Sequence, residues 1–392
     1  MEMDFALRPG ENLPLSAHER MRAAGSVVWS ETLNGWVVSS YEGVKGVLSD
    51  LSRFTSVGTA VETTMGPEAM LVDDTPLHHK VRAIWTKAMA KSVFVARAKE
   101  LAENASRLME EARPRLEAGE AVDLVPIFQS FGTAFISSSF GVTTDRLGVF
   151  RRWSSMSADA PALNLVEGSP EAQRHRTVKQ EVFDLVREEI IDRRERIGRG
   201  EEPTDLIALM AAAEGSHGIT RAMAVDNIFN FILGSMDTTE RWLGHVVVHI
   251  FRDPELAAGL RADRRLVEAT VDEVMRCDTV AQVIMRVVKE DDVEFEGQRM
   301  KKGDDVFLML GAASRDPDAY PNSDRFDIHR QQKPLLGFGF GFHHCLGINA
   351  ARQEVISFAN VLLDGFPGLK IVSVDMGNNW ALWGPRELMV KL

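Results

Sequence analysis

The segment from Ile219 to Arg252 constrains the fold more than any other part of the chain. It runs for about 34 residues, rich in apolar side chains and free of proline. A helix of that length, at about 1.5 Å per residue, would span roughly 50 Å, the width of a whole domain. Asp226, Asn227, Asn230, Asp237, Glu240 and Arg241 interrupt it, which is too many polar groups for a lipid-facing span. The segment therefore predicts a helix threaded through the core of a large helical protein and stopped by Asp253-Pro254.

With 392 residues the chain could form two or three average domains or one large one. It contains no repeat, low-complexity tract or long linker, so one domain over residues 1–392 is expected. Forty-five basic against 57 acidic residues give a net charge of -12, which repels a nucleic-acid backbone or an anionic membrane and suits small-molecule chemistry. Two cysteines, Cys277 and Cys345, do not make a disulfide scaffold, and a reducing cytoplasm is the default. The N-terminus MEMDFALRPGENLPLS lacks the basic start and apolar run of a signal peptide, so a cytoplasmic location without a membrane anchor is expected.

The remaining texture is mainly α with small β-sheets. Asn34-Gly35 between two β-rich runs predicts a hairpin, within a β-rich part at about 25–60. A helical part follows over about 75–277, including an amphipathic helix from Pro170 to Gly198 and breaks at Gly119, Gly141 and 215–218. Alternation returns over about 280–310, with turns at Glu296-Gly297 and Lys302-Gly303. A last helix is predicted over 346–363, followed by a short β-like tail.

Just before that helix stands GFGFGFHHCLG, residues 337–347. A phosphate loop would want G-x-G-x-x-G spacing or a Lys-Ser/Thr pair, and neither is present. A zinc site would want Cys or His at ligand spacing, whereas His343, His344 and Cys345 are adjacent. A lone thiolate fits better. The following helix would stabilise S⁻ at Cys345, the glycines would let backbone approach a flat cofactor, and Phe338 would cover it. A plain turn holding a buried cysteine remains open on these residues alone.

The pattern Phe338-Gly339-x-Gly341-x-His343-x-Cys345-Leu346-Gly347, followed by Ala351-Arg352-Gln353-Glu354, resembles the haem-binding signature of the cytochrome P450 family. The resemblance extends over about residues 15–392. It implies the single-domain P450 fold with a long helix crossing the haem. Cys345 would then be the axial thiolate of haem b, Phe338, Gly339 and Gly347 part of its bed, and His343 near a propionate.

Other landmarks occur in the family's order. Glu273-x-x-Arg276 places a carboxylate and a guanidinium on one helix face; the resemblance makes this pair structural, joined by Arg325 or Arg330. Arg286 interrupts an apolar strand, where a bare charge is costly, and by resemblance it holds a propionate. His78-x-x-x-Arg82 resembles the propionate-binding pair of the family. His78 is preferred to its neighbour His79 because it stands four residues before Arg82.

In GSMDTTE, packing alone would have a threonine bond back to a carbonyl one turn earlier. By resemblance, Gly234 leaves room over the iron, Thr238 steadies dioxygen and its water, and Asp237 feeds protons. Ser235, Val280 and Leu335 depart from common family residues. Asn230, Leu233, Ala281, Val283 and Ile284 are expected to line the substrate pocket, with Asn230 offering a hydrogen bond, and Cys277 is expected in the core.

The activity implied is that of a monooxygenase, inserting one atom of dioxygen into a small, largely apolar substrate by hydroxylation or epoxidation. Electrons would come from a separate ferredoxin or flavodoxin with its reductase, docking on the Cys345 side. The rivals are a peroxide-driven peroxygenase, a non-catalytic haem-thiolate binding or sensing protein, and a haem-free helical protein.

Overall fold

The computed structural model describes residues 15–159, 169–216, 218–377, 379 and 381–392. The N-terminal stretch read above for a signal peptide lies almost wholly outside the described residues. The central helix spans Arg221–Arg252. It starts two residues later than the apolar run because Thr220 caps it, accepting the Met223 N–H on its side chain. Asp253 ends it and caps the next helix, Pro254–Ala262, by accepting the N–H groups of Glu255 and Leu256.

Helices Val125–Phe140, Gly148–Asp159, Pro170–Gly198, Leu266–Cys277 and Ile348–Gly365 pack around the central helix. Phe229, Ile232, Met236, Val246 and Val247 are sealed between them. At about 25 cal/mol per Å² of apolar surface removed from water, this all-round burial is what holds such a polar-interrupted helix in place. No helix among the described residues is long and apolar enough to cross a membrane.

Ten strands are found among the described residues: β1 (Val27–Ser30), β2 (Gly35–Val38), β3 (Phe54–Thr55), β4 (Val122–Asp123), β5 (Val283–Val288), β6 (Val293–Phe295), β7 (Gln298–Met300), β8 (Asp305–Met309), β9 (Lys370–Asp375) and β10 (Glu387–Lys391). They form a five-stranded sheet in the order β1-β2-β8-β5-β3, a three-stranded sheet β4-β10-β9 and the β6-β7 hairpin. Asn34 takes the turn of the first hairpin at φ 49°, and Trp29 faces Trp36 edge-on at 5.3 Å across it. The β-like tail is therefore more than a tail: it recruits β4 from the middle of the chain into a sheet of its own.

Glu273 and Arg276 form the anchor beneath the site. Both side chains are fully buried, joined by bonds of 2.8 and 2.9 Å. Arg276 also donates to the carbonyls of Ser314 (3.0 Å), Ser323 (2.7 Å) and Arg325 (3.2 Å). Arg330 is the third member, its Nε 3.3 Å from Glu273; Arg325 contributes only its carbonyl. Cys277 is buried beside them, and burial raises its thiol to about 12.

Candidate active site

Local geometry turns the glycine-aromatic stretch into a cradle. Gly339 and Gly341 adopt φ of 68° and 69°, the left-handed region that a side chain would strain. A Cβ on Gly341 would lie 2.9 Å from Leu48 O, and one on Gly337 2.8 Å from Met275 Sδ. The Cys345 N–H closes the loop onto Phe338 O at 2.8 Å, while Phe338 packs edge-on against Trp242 of the central helix.

The following helix begins at Ile348, two residues beyond the predicted start. Leu346 and Gly347 are spent on the turn that brings the Gly347 and Ile348 N–H groups onto the Cys345 sulfur. Burial pushes this thiol above its ordinary value. Those two N–H groups and the Arg82 charge pull the other way and would favour a thiolate.

Above the sulfur opens a cavity of about 770 Å³. Cys345, Phe338, Gly339 and Gly347 lie on one side of it, and Asn230, Gly234 and Thr238 on the central helix also line it. A Cβ built on Gly234 would meet nothing within 4 Å, so that position is open space. Val280, Ala281, Val283 and Ile284 supply apolar wall.

The same cavity is lined by His78, Arg82, Arg286 and His343. The His78 Nδ1 donates to Met70 O at 2.9 Å, its Nε2 is buried without a partner, and burial pushes it down to about 4. Exposed His79 is not the lining residue. Arg82 is lowered by burial, with Cys345 as the opposing charge. Arg286 is 5% exposed; it donates from one terminal nitrogen to Met285 O at 2.7 Å, and its Nε has no partner. The His343 Nε2 is held by Asp74 (2.8 Å) and Ser56 (3.0 Å), while its Nδ1 is sealed and unpartnered. Asp74 is buried, yet donors from His343, Thr55 and Ser56 hold it well below the usual carboxylate range.

Residues 27–369 match the family model for Cytochrome P450. The chain is a cytochrome P450. It is 29% identical over 375 residues to a putative cytochrome P450 133B2 of Xylella fastidiosa, covering 92% of this chain and 91% of that protein. It is also 29% identical over 374 residues to the mycinamicin IV hydroxylase/epoxidase of Micromonospora griseorubida, covering 91% and 89%. Among solved structures, ligand-free CYP164A2 of Mycobacterium smegmatis matches with a TM-score of 0.85 at 26% identity, covering 100% of this chain and 98% of that one.

A cytochrome P450 carries haem b, and the residues present suit that group. His78, Arg286 and His343, each with an unpartnered side-chain nitrogen, line the same cavity as the half-buried Cys345. The Arg82 and Arg286 guanidinium groups lining it suit the charge of two propionates, and the Cys345 sulfur suits a thiolate ligand to iron. A carboxylate at His78 Nε2 would require the ring to take a proton, because Nδ1 is already the donor of the neutral ring.

Two expected site residues of this cytochrome P450 lie elsewhere. Asp237 does not line the cavity: it points to helix Gly148–Asp159, where Ser154 donates to its carboxylate. Leu233 is likewise absent from the cavity wall and packs against the main hydrophobic core. Helical residues turn by about 100° per position, so the face defined by Asn230, Gly234 and Thr238 carries residues 233 and 237 away from it. The Thr238 hydroxyl donates to Gly234 O at 2.6 Å and that of Ser235 to Phe231 O at 2.7 Å. The bond back to a carbonyl one turn earlier is thus present at both.

Sequence reasoning missed several partners. Glu240 is clasped by Arg151 at 2.8 and 3.2 Å, and burial raises it to about 7 against the pull of that arginine. Glu354, known from the sequence only as part of a motif, is 2% exposed, lines the cavity, and is raised well above its ordinary value by burial. A buried carboxylate in an apolar helix always demands a partner, so Glu240 carried a signal, but nothing local named Arg151.

Proposed function

We propose that this cytochrome P450 inserts one atom of dioxygen into a small, largely apolar organic substrate, by hydroxylation or epoxidation. One observation carries the reading: one cavity is lined by Cys345, by Gly234 and Thr238 on the central helix, and by apolar side chains for much of the remaining wall. When bound, haem supplies the oxidising chemistry, and a thiolate ligand favours cleavage of the O–O bond.

The chain's own part is positioning and proton handling. The N–H groups of Gly347 and Ile348 stabilise S⁻ at Cys345. The lack of a side chain at Gly234 leaves room where dioxygen must fit. The Thr238 hydroxyl, its proton committed to Gly234 O, can accept a hydrogen bond from a water and so hold a proton source in the cavity. Asp237 reaches that water only by leaving Ser154, which makes it a gated rather than a standing donor. Electrons are proposed to come from a separate ferredoxin or flavodoxin with its reductase, docking on the Cys345 side.

Thr238→Ala tests this reading. With dioxygen and reductant it should divert reducing equivalents into peroxide, while peroxide-supported oxidation is largely spared. Unchanged coupling would remove the proton role from Thr238 and favour a peroxide-driven enzyme. Before that, a reduced, CO-treated sample must show the strongly red-shifted Soret band of thiolate ligation; its absence from folded, haem-loaded protein would rule the proposal out.

A further inference from the structure

Asp74 does not line the cavity, yet it holds residues that do. It stands two residues before Pro76, where the helix Pro76–Thr86 that carries His78 and Arg82 begins. Its carboxylate collects donors from two other parts of the chain. Oδ1 accepts from His343 Nε2 at 2.8 Å and from Ser56 Oγ at 2.7 Å, while Oδ2 accepts the Ser56 N–H at 3.0 Å and the Thr55 hydroxyl. Ser56 Oγ is itself 3.0 Å from His343 Nε2. Thr55 ends β3, and His343 belongs to the loop that leads to Cys345. Because Ser56 and His343 line the cavity, one carboxylate one layer out fixes two parts of its wall.

The charge matters as well as the bonds. The His343 and Asp74 side chains are 5% and 8% exposed, so solvent ions screen their contact little. Its donors keep the Asp74 carboxyl ionised in spite of burial. That charge also reaches Arg286 in β5, the strand paired with β3, and offsets part of the cost of burying the guanidinium. A carboxylate behind a cavity suited to two propionates would only repel them, unless it acts through the groups that stand between.

We propose that Asp74 is a positioning residue of the haem site: its carboxylate fixes His343 and Ser56 on the cavity wall, and its charge behind Arg286 lowers the reduction potential of bound haem. Reduction adds one electron, and a fixed negative charge nearby raises the energy of the reduced state. Partners in the outer layer of a metal site tune both its affinity and its potential in this way. The first electron must therefore come from a stronger reductant than the cavity would need without Asp74. The inference rests on the cytochrome P450 reading above, because the potential is that of its haem.

The test uses haem-loaded protein and reads haem release to an excess of a haem-scavenging protein together with the reduction potential. Asp74→Asn keeps the shape of the side chain and removes its charge, whereas Ser56→Ala removes a donor and leaves the charge. Asp74→Asn should release haem about tenfold faster than wild type. In a His343→Leu background it should add less than about twofold, because it acts through that ring. In the same background no imidazole proton can compensate for the lost carboxylate, so Asp74→Asn should raise the potential and Ser56→Ala should leave it in place. Should His343→Leu hold no haem, His343→Gln, which does not titrate either, supplies the background for the potential. Release from Asp74→Asn at the wild-type rate, equal acceleration with and without His343, or an unmoved potential would overturn the proposal. The reduced CO spectrum separates the two levels. A missing thiolate band in folded wild type defeats the cytochrome P450 reading itself, whereas an intact band with unmoved release or potential defeats only the role of Asp74.

Discussion

Replacing Arg286 by Met should move two properties of the protein in opposite directions. Arg286 sits in β5, 5% exposed, with Met285 O at 2.7 Å as an acceptor and an Nε that has none. Burial pulls it below the ordinary guanidinium value to about 10, and the Asp74 charge offsets only part of that. At about 1.4 kcal/mol per tenfold change in proton affinity, the chain alone leaves roughly 3 kcal/mol of charge desolvation unrepaid. Both values lie far above neutrality, so the whole penalty acts at pH 7. Met fills a similar volume without a charge and gives up one hydrogen bond worth about 1 kcal/mol. The haem-free protein should therefore gain about 2 kcal/mol, read as a higher urea midpoint at unchanged slope. The haem-loaded protein should lose a charge-assisted bond to a propionate, worth about 1.5–3 kcal/mol, and release haem to an excess of a haem-scavenging protein roughly 10–100 times faster. A haem-free variant that unfolds at lower urea, or a haem-loaded one that releases haem at the wild-type rate, would refute the assignment of Arg286 as a charge held for the cofactor.

Three further outcomes follow from buried ionisable groups. Glu273 accepts from Arg276, Arg330, Gln332 and the Asp327 N–H; Glu273→Ala strands a buried guanidinium and should cost about 3–5 kcal/mol in urea unfolding, and a loss below about 1 kcal/mol would deny the pair its anchoring role. Burial lowers His18 to about 3 and His78 to about 4 from 6.5, so the fold excludes protons that the unfolded chain binds. Haem-free stability should then be full above about pH 6.5 and fall as pH drops toward 4. Haem-loaded protein should show a shallower fall, because His78 facing a carboxylate takes its proton in the folded state; equal slopes for the two forms would contradict that pairing. Glu354, raised by burial, contributes stability in its neutral form that is lost as pH rises through its folded value. Glu354→Gln should match wild type at pH 5 and exceed it at pH 9, and an equal difference at both would show the carboxyl is already charged in the fold.

What the sequence disclosed and what it hid divide along the range of the forces involved. The Pro170–Gly198 helix was legible to the residue, because Ser169 caps it and Pro170 fits its first turn, both local effects. The Cys345 cradle was legible because its determinants lie within eleven residues: two left-handed glycines, a thiol and a helix start. His78 and Arg82 were named by resemblance to the family's pattern, and both line the cavity, since i and i+4 share a face wherever the helix packs. Asp237 fails that test. Its partner Ser154 lies 83 positions away, as Arg151 lies 89 from Glu240 and Asp74 lies 269 from His343. Periodicity assigns a residue to a face, but which neighbour covers that face is decided by tertiary packing.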